Sequence, residues 1–181
     1  MHLLIAHAIV SDDDRIADAD GHFPEALRNE ADWQRFQAGL DAADLTLLGR
    51  LSHDAAPNVR RRLRLIVSRR GRGLARDGEG WWLNPADVRL SDVLAQILPD
   101  GGTIAVPGGQ PVFDLVGAAG FDAFHLARRR GVRLPGGRGL FAAVERGVPA
   151  EAILSDGGLV PDPAEVLDHA AGVSLTRWRR P

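Results

Sequence analysis

The chain has 181 residues, 45% hydrophobic and 25% charged, with a formal net charge of −2. That size and balance predict one soluble domain over residues 1–181, with no field to draw nucleic acid and no apolar run long enough to span a membrane. Cys, Tyr and Lys are absent, since all 22 basic residues are Arg, which excludes thiolate metal sites, Walker A loops, Schiff-base chemistry and the Tyr–Lys pair of short-chain dehydrogenases.

Residues 2–10 are apolar and read as a first strand. No basic stretch or small-residue cleavage site marks them as a signal peptide, so the cytoplasm is the expected location. Residues 11–21 are polar and loop-like. Residues 29–40 read as a helix, with Trp33, Phe36 and Leu40 spaced three and four apart on one face. Short apolar strands follow at 44–49 and 63–67. A loop rich in Gly and Arg is expected over 69–80, then a short strand at 81–83. A helix is expected over 91–98, with Ser91 as its N-cap. The strand 103–106 runs into Pro107, Gly108 and Gly109, and a helix over 112–119 follows, with Pro111 suited to a first turn. Further strands are expected at 122–127, 152–154 and 173–178.

Strands alternating with helices predict an α/β fold with a mostly parallel mixed sheet of about eight strands covered on both faces. In such sheets ligands lie beyond the carboxyl ends of the strands, and three segments occupy such ends. Gly49, Arg50, Leu51 and Ser52 combine a close backbone approach with a cation and a hydroxyl. Ser68, Arg69 and Arg70 suit a phosphate monoester such as the 2′-phosphate of NADPH. Gly108, Gly109 and Gln110 stand between a strand and a helix start that can face a pyrophosphate. Ordinary turns and a solvated Arg cluster are the plain alternatives for each. The six histidines, at 2, 7, 22, 53, 125 and 169, form no metal-binding motif, so no metal is expected.

The order of these segments resembles the dihydrofolate reductase family, including the reductase domain of riboflavin biosynthesis. Residues 47–52 resemble its M-G-R-x-T segment, 65–68 its I-V-L-S strand, and 108–113 its G-G-x-x-[VI]-Y turn. Residues 15–17 resemble the segment after strand one, and 134–141 resemble the G-G-x-x-L-F of the riboflavin-type branch. The resemblance implies NADPH as cofactor, held by Ala6, Ile16, Ala17, Gly49 to Ser52, Ser68 to Arg70, Gly108 to Gln110 and Val112. It implies a cis peptide between Gly108 and Gly109 beside the nicotinamide. The cofactor supplies the hydride and the protein supplies orientation and electrostatics.

The family also places one buried carboxylate on the first helix. Asp32 fits one register, with Phe36 four residues on; Glu30 fits another, within Leu27-Arg28-Asn29-Glu30. Two positions apart on a helix they point about 200° from each other, so only one faces the pocket, and Asp32 is favoured. Phe36, Arg62 and Phe113 would meet the substrate, Arg62 as the partner of a folate carboxylate. Phe113 stands where the family has Tyr, Ala127 where it often has Thr, and Pro111 where it is often basic. The expected function is NADPH-dependent reduction of a small-molecule pterin such as dihydrofolate. Reduction of a ribosylamino-pyrimidine or other heterocycle, or a nucleotide-binding module without catalysis, are the alternatives. A homodimer is compatible with the riboflavin-type likeness.

Overall fold

In the computed structural model, which describes residues 1–78 and 80–181, the first strand β1 (His2–Val10) divides its side chains between two cores. Leu4, Ala6 and Val10 enter the larger one and Ile9 the smaller, as the period of two along a strand requires. In chain order there follow β2 (Arg15–Ala17), α1 (Glu30–Asp41), β3 (Leu45–Gly49), α2 (Arg50–Ala55), β4 (Arg64–Val67), β5 (Leu74–Asp77) and β6 (Gly80–Leu83). Then come α3 (Leu90–Ile97), β7 (Gly102–Gly108), α4 (Gln110–Val116), β8 (Ala123–Arg129), β9 (Arg138–Gly139), α5 (Ala150–Asp156), β10 (Val160–Pro161), β11 (Glu165–Asp168) and β12 (Val173–Arg179).

One sheet has the order β10-β12-β8-β1-β7-β3-β4-β6-β5, with β11 also paired to β12; β2 and β9 form a separate ribbon. The six strands from β8 to β6 in that order run parallel. The outer pairings are antiparallel. Strands buried on both faces need apolar side chains throughout, which is why β3 reads LTLLG and β4 ends LIV. On one face, Val93 and Leu94 of α3, Phe113 of α4 and Leu154 of α5 close over Ala6, Leu47, Leu65 and Val106. Phe113, Phe121, Phe124 and Phe141 form a ring cluster there, with centroids 5.2–6.2 Å apart. The other face carries Ile9, Ala127, Val173 and Leu175, and α1 lies across it.

The α/β class and the mixed, mostly parallel sheet are as the sequence predicts, but the main sheet has ten strands, not about eight. Residues 152–154 belong to helix α5. Ala150 and Leu154, four apart, are its buried positions, which is helical spacing that a three-residue apolar window conceals. Residues 69–80 contain an edge strand, β5, whose side chains are largely exposed and so carry no alternation. Ser91 lies inside α3; Arg89 takes the cap position, and no side chain caps that end.

Phe113 is fully buried. Phe113→Ala should cost about 3–5 kcal/mol of folding stability, read from urea unfolding. A loss below about 1 kcal/mol would show that the ring cluster does not close the core.

Candidate functional site

The three strand ends singled out in the sequence come together. Leu48 of β3 is in register with Gly108 of β7, and Gly49 with Val67 of β4. Gly49, Ser68 and Gly108 therefore stand side by side along one edge of the sheet, on three adjacent parallel strands. Helices α2 and α4 start directly from this edge, at Gly49 and Gly109, and neither N-cap has a side chain to bond the first-turn amides. At α2 the first-turn amides remain available to an anion; at α4 only that of Gln110 does, because Pro111 has no N–H and the Val112 amide donates to the Gly109 carbonyl at 2.9 Å.

Gly108 and Gly109 are joined by a cis peptide, as the resemblance implies. Gly108 has φ +87°, and a Cβ there would overlap the Phe113 ring. Gly109 has no atom within 4 Å of the place a Cβ would occupy. The turn is thus pressed down onto the core on one side and open on the other, a cradle that a flat group can approach. The ribbon β2–β9 lies beside it: Arg15 pairs with Gly139, and the Gln110 side-chain amide donates to the Gly139 carbonyl at 3.1 Å. Ile16 and Ala17 are thereby brought near the turn. Opposite, Gly21 in the loop after β2 comes up against Leu51 of α2.

The arginines divide by partner. Arg50 pairs with Asp54 at 2.8 Å. Arg62 donates from Nε and Nη2 to Asp41 at 2.9 and 2.6 Å, and from Nη2 to Gln37 Oε1 at 2.7 Å, which anchors that edge of its guanidinium within the protein. Arg69 and Arg70 are exposed, and among the described residues neither guanidinium has a hydrogen-bond or ion-pair partner. Beside them Ser68 is buried, its Oγ accepting from the Arg70 amide at 3.1 Å.

The acid stands on the other side of β7, where α1 crosses β1 and β8. Asn29 caps α1, and its Oδ1 accepts from the amide of Asp32 at 3.1 Å. Its Nδ2 donates to Asp168 of β11 at 2.8 Å, and Arg35 of α1 pairs with Glu165 of the same strand. These links clip the helix to the sheet with Asp32 inward. Asp32 lines a narrow cleft with His7, Ala8, Arg35, Phe36, His125 and Leu175. Burial raises its carboxyl to about 6 from the usual 3.8. Glu30 is exposed and accepts from Gln34 at 3.0 Å on the solvent side. Asp32 is therefore the acid that faces the cleft, and Glu30 is not.

Four other expected contacts are corrected. Phe113 packs wholly in the core and presents nothing to a substrate; Ala6 and Val112 are likewise fully buried, their side chains supporting the edge from below. Arg62 is held by Asp41 and Gln37. His7 and His125, in contrast, line the acid's cleft although no motif marks them. They lie in register on adjacent strands β1 and β8, a pairing invisible at a separation of over a hundred residues.

Neither a family model nor a curated protein matches the chain by sequence. Solved structures do match. A Shewanella sp. PV-4 protein assigned to riboflavin biosynthesis superposes with TM-score 0.67 at 17% identity, over 100% of this chain and 99% of that one. The diaminohydroxyphosphoribosylaminopyrimidine deaminase/5-amino-6-(5-phosphoribosylamino)uracil reductase of Thermotoga maritima gives 0.70 at 14% identity, over 99% of this chain and 57% of that one. Dihydrofolate reductase of Enterococcus faecalis, complexed with NADP(H) and RAB-propyl, gives 0.67 at 15% identity, over 98% and 96%. The chain thus spans somewhat over half of the bifunctional deaminase/reductase and nearly all of the other two. The fold is dihydrofolate-reductase-like. Among the described residues no helix is long and apolar enough to cross a membrane.

The raised Asp32 pKa has a stability consequence. The folded chain holds this proton more tightly than the unfolded chain, so the contribution of Asp32 to stability falls as pH rises from about 3.8 to about 6. Asp32→Asn removes the buried charge. The variant should be more stable than the parent by about 1–2 kcal/mol near neutral pH, and the gain should vanish in acid, below the ordinary carboxylate range. Paired urea titrations at the two pH values check this; an equal difference at both would refute burial as the cause.

Proposed function

We propose that the chain is an NADPH-dependent reductase of a small planar heterocycle. The observation that carries the reading is the register of β7, β3 and β4, which lines up Gly108, Gly49 and Ser68 on one edge, with the cleft of Asp32 across β1. The residues suit the cofactor. The open face of Gly109, the Gln110 amide and the uncapped start of α2 accommodate a diphosphate. Arg69 and Arg70, free of acidic partners, suit a 2′-phosphate. Arg50, Leu51, Ser52 and Gln110 stand in the first turns of α2 and α4, and Ile16 and Ala17 lie on the ribbon beside them. The fold is shared with an NADP(H)-bound dihydrofolate reductase.

When bound, the cofactor supplies a hydride to a ring carbon of a C=N bond, while the nitrogen takes a proton. Asp32 is placed to handle that proton. A carboxyl raised to about 6 is protonated in a useful fraction near neutrality and returns to the carboxylate after giving the proton up. Phe36, one helical turn on, offers a ring face to the substrate.

Dihydrofolate is the first substrate to test. A monocyclic ribosylamino-pyrimidine is the second reading, and one observation favours it: Arg62, the residue expected to meet a folate carboxylate, has its Nε and Nη2 donors committed to Asp41 and Gln37.

Loss of NADPH absorbance with dihydrofolate and with a pyrimidine panel decides between them. NADPH binding without turnover on any ring would leave a binding module. Asp32→Asn should lower kcat by about 10²–10⁴ with NADPH affinity unchanged. Because the protonated form does the work, wild-type turnover should fall as pH rises through about 6, and a flat profile would remove Asp32 from the chemistry. Arg69→Ala should weaken NADPH about tenfold or more and leave NADH nearly unchanged; equal losses for the two would refute the 2′-phosphate role.

A further inference from the structure

Four rings form a ladder from the surface to the floor of the Asp32 cleft. Trp33, exposed, stacks on Phe36 at 5.4 Å and 22°. Phe36 meets the edge of His7 at 6.5 Å, and His7 meets His125 at 4.7 Å and 87°. The two imidazoles point to the α1 face because His7 and His125 sit in register on parallel neighbours, where like positions project to the same side. Helix α1 comes down on His7 at a glycine. A Cβ at Gly39 would lie within 3.0 Å of three atoms of the His7 ring, so the imidazole is wedged between helix and sheet.

His7 is only 7% exposed, yet among the described residues neither it nor His125 has a hydrogen-bond partner. Their ring nitrogens are not sealed from the cleft, so a ligand there can reach them as hydrogen-bond partners. Both imidazoles line the cleft beside the Asp32 carboxyl. The charges facing them are Asp32 and Arg35 from α1, Arg177 from β12 and Glu165 from β11. Arg35 and Arg177 share the one Glu165 carboxylate, which leaves a single net positive charge that Asp32, itself without an ion pair, balances when ionised. The cleft is therefore close to neutral overall, and an anionic ring would lose its hydration there without meeting an unbalanced cation. Burial lowers both imidazoles, His7 to about 3, so each is neutral and offers one donor and one acceptor.

We infer that His7 and His125 are specificity-determining residues, which select an uncharged planar ring carrying hydrogen-bond donors and acceptors on its edge. This rests on the cleft being the substrate site of the proposed reductase. The ring's donors meet Asp32, and its remaining polar edge meets the imidazoles.

The test is an imidazole ¹⁵N NMR titration of the full chain, without cofactor, using 2-aminopyrimidin-4-one as the neutral donor–acceptor ring and benzoate as the anionic one. Millimolar 2-aminopyrimidin-4-one should move the His7 and His125 resonances and leave the other four histidines in place; benzoate should move neither. His7→Phe, which keeps a ring but no nitrogen, should weaken 2-aminopyrimidin-4-one about tenfold or more, and His7→Gln should restore part of the loss. NADPH affinity should be the same in both variants. Unmoved His7 and His125 signals, or wild-type affinity in His7→Phe, overturns the inference whether or not the variant folds well, since the first readout uses the native chain. If NADPH fails to bind while these resonances still shift, the reductase reading falls and the ring site stands.

Discussion

β7 hydrogen-bonds in parallel to β1 on one side and to β3 on the other, and that central pairing sets where each functional group falls. Parallel strands all present their carboxyl ends to one edge, so the turns after β3, β4 and β7 must meet there. The edge is held at depth by the contact between Gly108 and the Phe113 ring. Phe113 in turn is buried among three other phenylalanines, so the position of a backbone turn is transmitted from a close-packed core. Side chains that the sequence places in the site, such as Val112 and Phe113, act through this support, not by contact.

Electrostatics separate the two halves of the site by a simple division of partners. In a chain whose only strong cations are arginines, most that lie near the site already have acidic partners: Arg50 has Asp54, Arg62 has Asp41, Arg35 and Arg177 share Glu165, and Arg128 has Asp14 and Glu151. Arg69 and Arg70 remain for an anion on one side of β7. On the other side Asp32 has no ion-pair partner among the described residues, and burial governs its proton. One half of the groove thus favours negative charge and the other a neutral ring, the asymmetry a dinucleotide and a heterocycle would need if both bind.

The C-terminal strands β11 and β12 complete the acid's half. Asp168 takes the Asn29 amide, and Glu165 joins Arg35 to Arg177, so the angle of α1 is set from the end of the chain. These strands were only partly legible. Val173 and Leu175 alternate as a half-buried strand should, but residues 165–168 carry two acids beside a bulge and show no periodicity. The same blindness to short windows turned 152–154 into an expected strand, because three apolar residues cannot distinguish a period of two from one of 3.6.

What the amino-acid order determined by itself was local: the apolar runs that become parallel strands, the glycines at their ends, the two arginines after β4, and a helix carrying Asp32 and Phe36 four apart. Each follows from backbone freedom or side-chain periodicity within one segment. What only the tertiary structure decided was which of these face each other. Whether Asp32 or Glu30 turns inward depends on how α1 is clipped to β11. Whether Arg62 is free depends on Asp41 at the far end of that helix, and His7 meets His125 only because β8 docks beside β1. Such relations join residues separated by tens to more than a hundred positions, and hydrogen-bond register, not sequence spacing, brings them together.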